Sequence, residues 1–365
     1  MSRTTLKEFF FVTMPVATLL YLVINFLFVF YSKDVVPRLP RALIPRLDGC
    51  YQTLYHTDLS EITAGDDGEV VVVLGDSFGA GAGDEFNRND ENPGFVRKLQ
   101  NSMNVNAQFL VYARSGFGSI SSLNEYKSCS QFLYRMTSLH IGEQEIDRIL
   151  LMFYEGNDLD NNLVEKEVIK SSMSWRRKLR LYLPLVDLLR QLPELIQKNF
   201  PATTNNETTK QNENITRNGI EVPGYPQGAS VELSPTELDT ALDVFEEVLT
   251  ELRELHSQSE IDVLYLPAVS TVYDFEDPLR VRSYKGLEFF ETTNESNLAN
   301  SDMIRALVYT LCDAIDGCVM CDTTEDLRSQ HLNLNRALHG PTDWAHFNQL
   351  GYSIVADRYG QCLSN

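Results

Sequence analysis

Two short stretches at opposite ends of the chain contain the residue types of acyl-transfer chemistry. Gly75, Asp76 and Ser77 directly follow an apolar run, and Asp343 precedes His346 by three residues near the C-terminus. A serine hydroxyl is a weak nucleophile at neutral pH and needs a neighbouring base to take its proton. A histidine held in one tautomer by a carboxylate is such a base. We therefore take Ser77, His346 and Asp343 as candidate nucleophile, base and orienting acid.

Each stretch also has a simpler interpretation. A Gly-Asp-Ser turn after a strand often does no more than cap the next helix, through Asp76 or Ser77. The glycines at 79, 81 and 83 lack the spacing of a dinucleotide fingerprint, and no Gly-Lys-Ser/Thr follows to hold a phosphate. A single histidine is more often an ordinary surface or core residue. The catalytic interpretation therefore depends on the elements that position these residues.

Three apolar runs, at residues 70–74, 108–112 and 148–154, are typical of strands buried on both faces of a parallel sheet. A helical pattern over 93–103 between the first two favours a right-handed βαβ unit. A second helix is predicted from residue 119 toward 136. The alternation predicts an α/β fold.

Each of these strands is followed by a turn that contains glycine. The second turn contains Ser115, Gly116 and Gly118, and the third contains Gly156 and Asn157. Because ligands bind at the carboxyl ends of the strands in open α/β sheets, we expect the three turns to lie at one edge. Taken singly, Asn157 is better explained as a turn residue.

The C-terminal half continues the pattern. Ser234, Pro235 and Glu237 predict a helix start with a capping box. A strand is predicted at 262–266, then loop and short helix over 268–300. A helix over 303–314, a short strand near residue 319 and a final helix after the His346 loop complete the predicted domain.

The N-terminal region predicts a membrane anchor. Residues 9–31 carry no charge over 23 positions, which is long enough as a helix to cross about 30 Å of hydrocarbon. A cleaved signal peptide is the alternative. The predicted organisation is a tail at 1–8, an anchor at 9–31, a linker at 32–66 and one large domain at 67–365. We expect that domain to lie outside the cytoplasm. More basic residues follow the span than precede it, which argues against this orientation.

An insertion at 165–230 interrupts the domain. Its basic, leucine-rich part around Trp175 is predicted to form a cap over the site, and residues 203–217 are predicted to form a mobile loop. A helix at a membrane surface is the alternative for the first part, because Trp175 lies beside three basic residues.

Composition excludes one class of partner and leaves the cysteines open. With 31 basic and 51 acidic residues the net charge is −20, which argues against nucleic-acid binding. The six cysteines suggest disulfides, although sequence cannot choose the pairing. Cys318 and Cys321 also have the spacing of metal ligands, so zinc is a weaker alternative. No cofactor is expected, and no protein partner can be inferred.

Together, Gly75-Asp76-Ser77, Gly116, Gly156-Asn157-Asp158 and Asp343 to His346 resemble the four ordered blocks of the SGNH (GDSL-type) hydrolase superfamily. The resemblance implies a three-layer α/β/α sandwich with a mostly parallel, flavodoxin-like sheet. It also implies an oxyanion hole formed by Ser77, Gly116 and Asn157. Gly118 competes with Gly116 for the second block, and we prefer Gly116 because Ser115 precedes it.

The anchored arrangement, with the motif at residues 263–267 and with Val272 and Tyr273 before the last block, is also loosely similar to SGNH domains of polysaccharide O-acetylation proteins. The resemblance implies a serine hydrolase of acyl esters, with acetyl esters or acetylated carbohydrates as substrates. Two alternatives remain open. One is an O-acyltransferase that moves acetyl groups onto a cell-surface polysaccharide, and the other is a catalytically silent carbohydrate-binding or assembly subunit.

Overall fold

The structure is a computed structural model that describes residues 13–39, 47–56, 69–83, 95–96, 98–99, 107–137, 146–168, 183–184, 213–282 and 289–363. The chain divides into two units. The smaller comprises residues 1–55, 128–143 and 171–206, and the larger comprises 56–127, 144–170 and 207–365.

Nine strands are described. They are β1 (Glu69–Leu74), β2 (Ala107–Val111), β3 (Arg148–Tyr154), β4 (Glu213–Ile215), β5 (Glu221–Pro223), β6 (Glu260–Leu266), β7 (Leu279–Arg282), β8 (Phe289–Thr292) and β9 (Cys318–Asp322). Five of them form one sheet in the order β2-β1-β3-β6-β9, and every neighbouring pair is parallel. The predicted α/β class and the predicted strands at 70–74, 108–112, 148–154 and 262–266 are confirmed.

Ten α-helices are described. They are α1 (Met14–Phe30), α2 (Ser32–Val35), α3 (Gly49–His56), α4 (Ser119–Thr137), α5 (Asp158–Val168), α6 (Pro235–Leu255), α7 (Val269–Val272), α8 (Asn294–Asp313), α9 (Thr324–Leu334) and α10 (Gln349–Cys362). The predicted capping box at the start of α6 is present, because Ser234 and Glu237 each accept from the other's backbone N–H.

Helices pack on both faces of the sheet. On one face Val71 and Val73 of β1 belong to a core that also contains Val355 of α10. On the other face Phe153 of β3 packs edge-on against Phe245 of α6, with ring centroids 5.0 Å apart. Side chains alternate between the faces of a strand, so one valine- and leucine-rich run supplies both cores. Helical layers on both faces are what the predicted sandwich requires.

The strand order places the predicted site. The chain passes from β1 to β2 on one side and then to β3 on the other side of β1. Ligand sites in open α/β sheets lie outside the carboxyl ends of the strands at such a change of direction. Ser77 follows β1 and Asn157 follows β3, so both residues follow strands at this change of direction.

The region 268–300 differs from the prediction. It contains the short helix α7, but also the antiparallel hairpin of β7 and β8 and the first turns of α8. Leu279 and Val281 of β7 are buried, whereas the first three residues of β8 are exposed. The prediction of loop was therefore wrong for the hairpin, because its strands are too short for a periodic signal. Helix α9 was also missed, because it is mostly polar and buries few side chains.

The smaller unit contains α1, α2, α3 and the second half of α4. Tyr51 of α3 packs edge-on against Phe28 of α1 at 5.8 Å and against Phe132 of α4 at 5.5 Å. Part of the predicted linker at 32–66 is thus helical and packed. The predicted anchor begins in residues outside the described part and continues as α1. Within the described ranges, we find no helix whose length and hydrophobicity would let it span a bilayer.

Much of the predicted insertion also lies outside the described residues, including the stretch around Trp175 and the predicted mobile loop up to residue 212. Its described parts are the end of α5 and the hairpin of β4 and β5. The cap and the mobile loop therefore stay predictions.

All six cysteines are paired. The disulfides are Cys50–Cys129 in the smaller unit, and Cys312–Cys318 and Cys321–Cys362 in the larger. The zinc alternative for Cys318 and Cys321 is wrong, because both sulfurs are bonded to other cysteines and neither can ligate a metal as a thiolate.

Candidate active site

The turn after β1 holds Ser77 tightly. Gly75 has a φ of 151°, and a Cβ there would lie 2.9 Å from the Cβ of Met152, so a side chain has no room beside β3. The N–H of Phe78 donates to Asp76 Oδ1 at 2.8 Å, and the N–H of Ala82 donates to the Ser77 carbonyl at 2.8 Å. Ser77 is 5% exposed. These contacts fix the hydroxyl at the sheet edge.

The C-terminal block meets this turn. The Nε2 atom of His346 lies 2.8 Å from Ser77 Oγ, although the two residues are 269 positions apart. Its Nδ1 atom lies 2.8 Å from Asp343 Oδ2. The structure thus brings the three predicted residues into one hydrogen-bonded chain.

The chain of contacts defines a proton arrangement. A carboxylate accepts only, so Nδ1 of His346 carries the proton that faces Asp343. Nε2 is then the acceptor, and the Ser77 hydroxyl donates to it. Asp76 Oδ2 is a more distant neighbour of the same hydroxyl, at 3.4 Å. The arrangement can take a proton from Ser77 and stabilise the imidazolium that results.

Asn348 anchors the loop that carries Asp343 and His346. Its Oδ1 caps α10 by accepting from the N–H groups of Leu350 and Gly351, at 3.0 and 3.2 Å. Its Nδ2 donates to the carbonyls of Ala337 and His339, at 2.9 and 3.2 Å. One side chain therefore ties the start of the last helix to the segment that precedes the loop.

Tyr273 and His339 form a buried support under the same loop. The Tyr273 hydroxyl accepts from the N–H groups of Leu338 and His339, at 2.8 and 3.1 Å. Its own proton then points to His339 Nδ1, at 2.9 Å. Burial, with the nearby His346, lowers the pKa of His339 from 6.5 to about 3. His339 is therefore a neutral structural residue at physiological pH.

The turn after β2 presents Gly116. The N–H of Phe117 donates to the Arg114 carbonyl at 3.1 Å, and Gly116, at the third position of this four-residue turn, has a φ of 78°. A positive φ at that position is typical of a type II turn and favours glycine. The N–H of Arg114 donates to the Gly75 carbonyl at 3.1 Å, which joins this turn to the one with Ser77.

Asn157 follows β3 and is 7% exposed. Its side-chain amide hydrogen-bonds to the Asp76 carboxylate, while its Oδ1 has no partner among the described residues. Gly156 precedes it, and a Cβ there would lie 2.6 Å from the ring of Tyr154, so glycine lets that ring fold back across the turn. Asn157 thus contacts the residue next to the candidate nucleophile.

Two carboxyls are buried beneath these turns. Burial raises the pKa of Asp76, although the Phe78 N–H and the imidazole of His346 oppose the effect. Burial and the nearby Asp76 raise the pKa of Asp158 well above its ordinary value. The sequence interpretation gave neither residue a role beyond the turns. The available signal was their position in the sequence, since Asp76 directly precedes Ser77 and Asp158 directly follows Asn157.

Sequence reasoning also missed the supporting residues Tyr273, His339 and Asn348, together with polar residues of α5. The signal for Asn348 was its position as a cap before the last helix. The signal for α5 was polar residues at helical spacing, which is usually typical of a solvated face.

A serine, a histidine and an aspartate linked by hydrogen bonds at the carboxyl edge of a parallel α/β sheet are the arrangement found in serine hydrolases. The family of GDSL-like lipases and acylhydrolases matches residues 71–359, which include all five predicted site residues. This match spans most of the chain, and the chain belongs to that family. No functionally curated protein matches the chain.

Solved structures of similar fold share little sequence with it. An extracellular lipase from Streptomyces rimosus has 14% identity and a TM-score of 0.41, covering 81% of this chain and 98% of its own. An acetylxylan esterase from Geobacillus stearothermophilus, solved as a catalytic mutant, has 10% identity and a TM-score of 0.35, covering 82% and 95%. A family two carbohydrate esterase from Clostridium thermocellum, in complex with cellohexaose, has 10% identity and a TM-score of 0.38, covering 83% and 66%. The family assignment depends on the family match and not on these structures.

Proposed function

We propose that the protein is a serine esterase that cleaves acyl esters, with Ser77 as nucleophile, His346 as general base and Asp343 as the acid that orients it. The single observation that carries the proposal is the chain of two 2.8 Å contacts from Ser77 Oγ through the imidazole to Asp343. The family match supports the same chemistry.

In the proposed first step, Ser77 Oγ attacks the ester carbonyl carbon while its proton passes to Nε2 of His346. The carbonyl oxygen becomes negative, and the alcohol then leaves with the proton that the imidazole returns. In the second step a water molecule attacks the acyl-serine and loses a proton to Nε2. The imidazole returns that proton to Ser77 Oγ as the bond between Oγ and the acyl carbon breaks, and the carboxylic acid is released. Asp343 stays ionised throughout and stabilises the imidazolium.

The negative oxygen needs preorganised donors. We propose the N–H groups of Ser77 and Gly116 and the side-chain amide of Asn157. The N–H of Gly118 is an unsuitable alternative, because it already donates to Glu165 Oε1 at 2.7 Å. The positive φ of Gly116 and the burial of Asn157 support the proposed set.

We also propose that the larger unit works outside the cytoplasm. Three disulfides that use all six cysteines support this, because such bonds persist in oxidising compartments. The membrane anchor at 9–31 stays a prediction. Alkylation of free thiols in intact and lysed cells tests the oxidised state, and full labelling without reductant would contradict it.

Ser77→Ala tests the proposed function. We expect it to abolish the release of p-nitrophenol from p-nitrophenyl acetate and to abolish labelling by a serine-reactive fluorophosphonate. Ser329→Ala, at an exposed position of α9, is the matched control and is expected to leave both unchanged. Unchanged turnover in Ser77→Ala would remove the serine from the mechanism. A wild-type protein that neither hydrolyses esters nor takes the label would contradict the proposal that the protein is a serine esterase.

The acyl group is tested with p-nitrophenyl esters of increasing chain length. We propose an acetyl preference, which predicts that kcat/KM falls from acetate to butyrate to octanoate. A maximum at octanoate would replace acetyl esters with lipid-like esters as the substrate class and would leave the roles of Ser77 and His346 intact.

A further inference from the structure

Helix α5 buries a stripe of polar side chains. Asp158, Asn161, Asn162 and Glu165 recur at the spacing of one helix face and are 3%, 4%, 0% and 8% exposed. Val164, outside this stripe, is 56% exposed. The usual amphipathic pattern is thus reversed. Buried polar groups are costly unless they are hydrogen-bonded, so this face must have partners.

The partners are the backbone groups at the start of α4. Glu165 Oε1 accepts from the N–H of Gly118 at 2.7 Å, and its Oε2 accepts from the N–H of Ser121 at 3.0 Å. Asn162 Oδ1 accepts from the N–H of Ser119 at 2.9 Å. The first N–H groups of a helix have no partner within the helix, and its N-terminus favours a negative charge. Glu165 satisfies both requirements from a distant position in sequence.

Gly118 lies so close to α5 that a side chain would not fit between them. A Cβ on Gly118 would lie 2.8 Å from Glu165 Oε2 and 2.9 Å from Asn161 Cβ. The Nδ2 atom of Asn161 also donates to the Phe117 carbonyl at 3.3 Å. Phe117 closes the turn that carries Gly116, so α5 is attached to that turn on both sides of residue 118.

The same helix begins next to Asn157. Asp158, its first residue, accepts from the N–H of Tyr154 at 2.8 Å through Oδ2, which fixes the end of β3 to the start of α5. Asn157 therefore lies at the start of α5, and Gly116 lies in the turn that the middle of α5 holds. One helix therefore contacts both segments that carry candidate oxyanion donors.

We propose that Glu165 is a positioning residue, which sets the place of the Gly116 N–H relative to the Asn157 amide through its two bonds to the start of α4. The proposal rests on the proposed esterase function. Glu165 does not touch the substrate. Both of its side-chain oxygens are needed as acceptors, because a glutamine would present an NH₂ donor to one of the two backbone N–H groups.

The test is Glu165→Gln in the full chain. We expect kcat for p-nitrophenyl acetate to fall about 10- to 100-fold with KM unchanged within about twofold. A misplaced donor reduces the stabilisation of the transition state and leaves substrate binding unchanged. Glu247→Gln, at an exposed position of α6, is the matched control and is expected to keep full activity. Unchanged kcat in Glu165→Gln, with active wild-type protein, would overturn the proposal and leave the proposed function standing.

A double-mutant cycle with Asn157→Ala separates positioning from general damage. If Glu165 acts through the oxyanion hole, its substitution costs clearly less in kcat once Asn157 is absent, because residues that act together are not additive. Equal costs in the two backgrounds would overturn the proposal. Inactive wild-type protein would overturn the proposed function and this proposal with it.

Asn161→Ala provides a second variant should Glu165→Gln fail to fold. It removes the bond to the Phe117 carbonyl and leaves the carboxylate in place. We expect a smaller loss confined to kcat. A loss confined to KM would overturn the proposal.

Discussion

The two sides of the candidate site are held in place by different means. Ser77, Gly116 and Asn157 follow three neighbouring strands, and their turns are fixed by each other and by the buried face of α5. Asp343 and His346 lie in a loop before α10, outside the sheet, where Asn348 and the pair of Tyr273 and His339 hold it.

This difference separates two tasks. Under the proposed function, the strand ends are the frame in which the oxyanion is bound, because their positions follow from the register of the sheet. The histidine loop depends on a few local hydrogen bonds, so it is more readily disturbed. Changes on the first side should lower kcat by weakening transition-state stabilisation, whereas changes on the second should loosen the loop that positions His346.

The largest expected effect comes from removing the link between the two sides. His346→Gln should lower kcat/KM for p-nitrophenyl acetate by about 10⁴-fold or more, because it removes the imidazole that lies 2.8 Å from Ser77 Oγ, whereas the Asp76 carboxylate lies 3.4 Å away. His256→Gln, outside the site, is the control. The double variant with Ser77→Ala should be no worse than either single variant. Retention of activity within tenfold would show that the two sides need not meet.

The next effect concerns the strand-end side alone. Asn157→Ala should lower kcat by about 10²- to 10³-fold, which is the usual cost of one oxyanion donor. KM should change little, since the Ser77 to His346 contact is untouched. The thermal midpoint of unfolding should fall, because the buried Asp76 carboxylate loses its hydrogen bond to the Asn157 amide. Steady-state kinetics and calorimetry measure these quantities. A raised KM at constant kcat would instead assign Asn157 to substrate binding.

A smaller effect is expected on the histidine side. Asn348→Ser keeps an oxygen to cap α10 but loses the donors to Ala337 and His339, whereas Asn348→Ala loses both functions. Both should lower kcat about tenfold by loosening the loop. Asn348→Ala should be less stable than Asn348→Ser by about 1 kcal/mol, the cost of a lost cap. Urea unfolding tests this order, and equal stability of the two variants would contradict the capping role.

The smallest effect on activity is expected from a change that alters the pH dependence of stability. The pKa of His339 is lowered in the folded state to about 3 from 6.5, so the unfolded chain takes up this proton first as the pH falls. Stability from His339 is therefore present above pH 6.5 and is lost toward pH 3, by up to about 1.4 kcal/mol per pH unit. His339→Asn keeps an acceptor for Tyr273 but does not titrate. Its free energy of unfolding should fall less steeply over this interval, and parallel curves would contradict the argument.

The raised pKa values of Asp76 and Asp158 act in the opposite direction. A carboxyl that holds its proton more strongly in the folded state stabilises the fold at low pH and loses that contribution as the pH rises through its folded pKa. Both carboxyls are present in wild type and in His339→Asn. The difference between the two curves therefore reports His339.

Four strands of the sheet, β1, β2, β3 and β6, were predictable because each contains a short apolar run that needs no partner to be recognised. The start of α6 was predictable because a capping box is local chemistry. The candidate triad was predictable for the same reason, since Ser77 follows a strand and Asp343 precedes His346 by three residues. The catalytic roles themselves stay predictions until turnover is measured.

Other features depend on contacts that a sequence does not display. The pairing of Cys321 with Cys362 becomes visible only when β9 and α10 are adjacent. The polar face of α5 was unpredictable as a buried surface, because its partners are backbone groups of a helix about 43 to 47 residues away. The hairpin of β7 and β8 forms from four-residue strands, which are too short to show a clear alternating pattern.

The 269 residues between Ser77 and His346 have a consequence for biosynthesis. A ribosome makes the frame around the serine early, but the base arrives only with the final segment. Under the proposed mechanism, a fragment that stops before residue 343 would present the Ser77 hydroxyl without the imidazole that activates it. Such a fragment should not cleave esters, so measured activity would require that translation has passed the histidine.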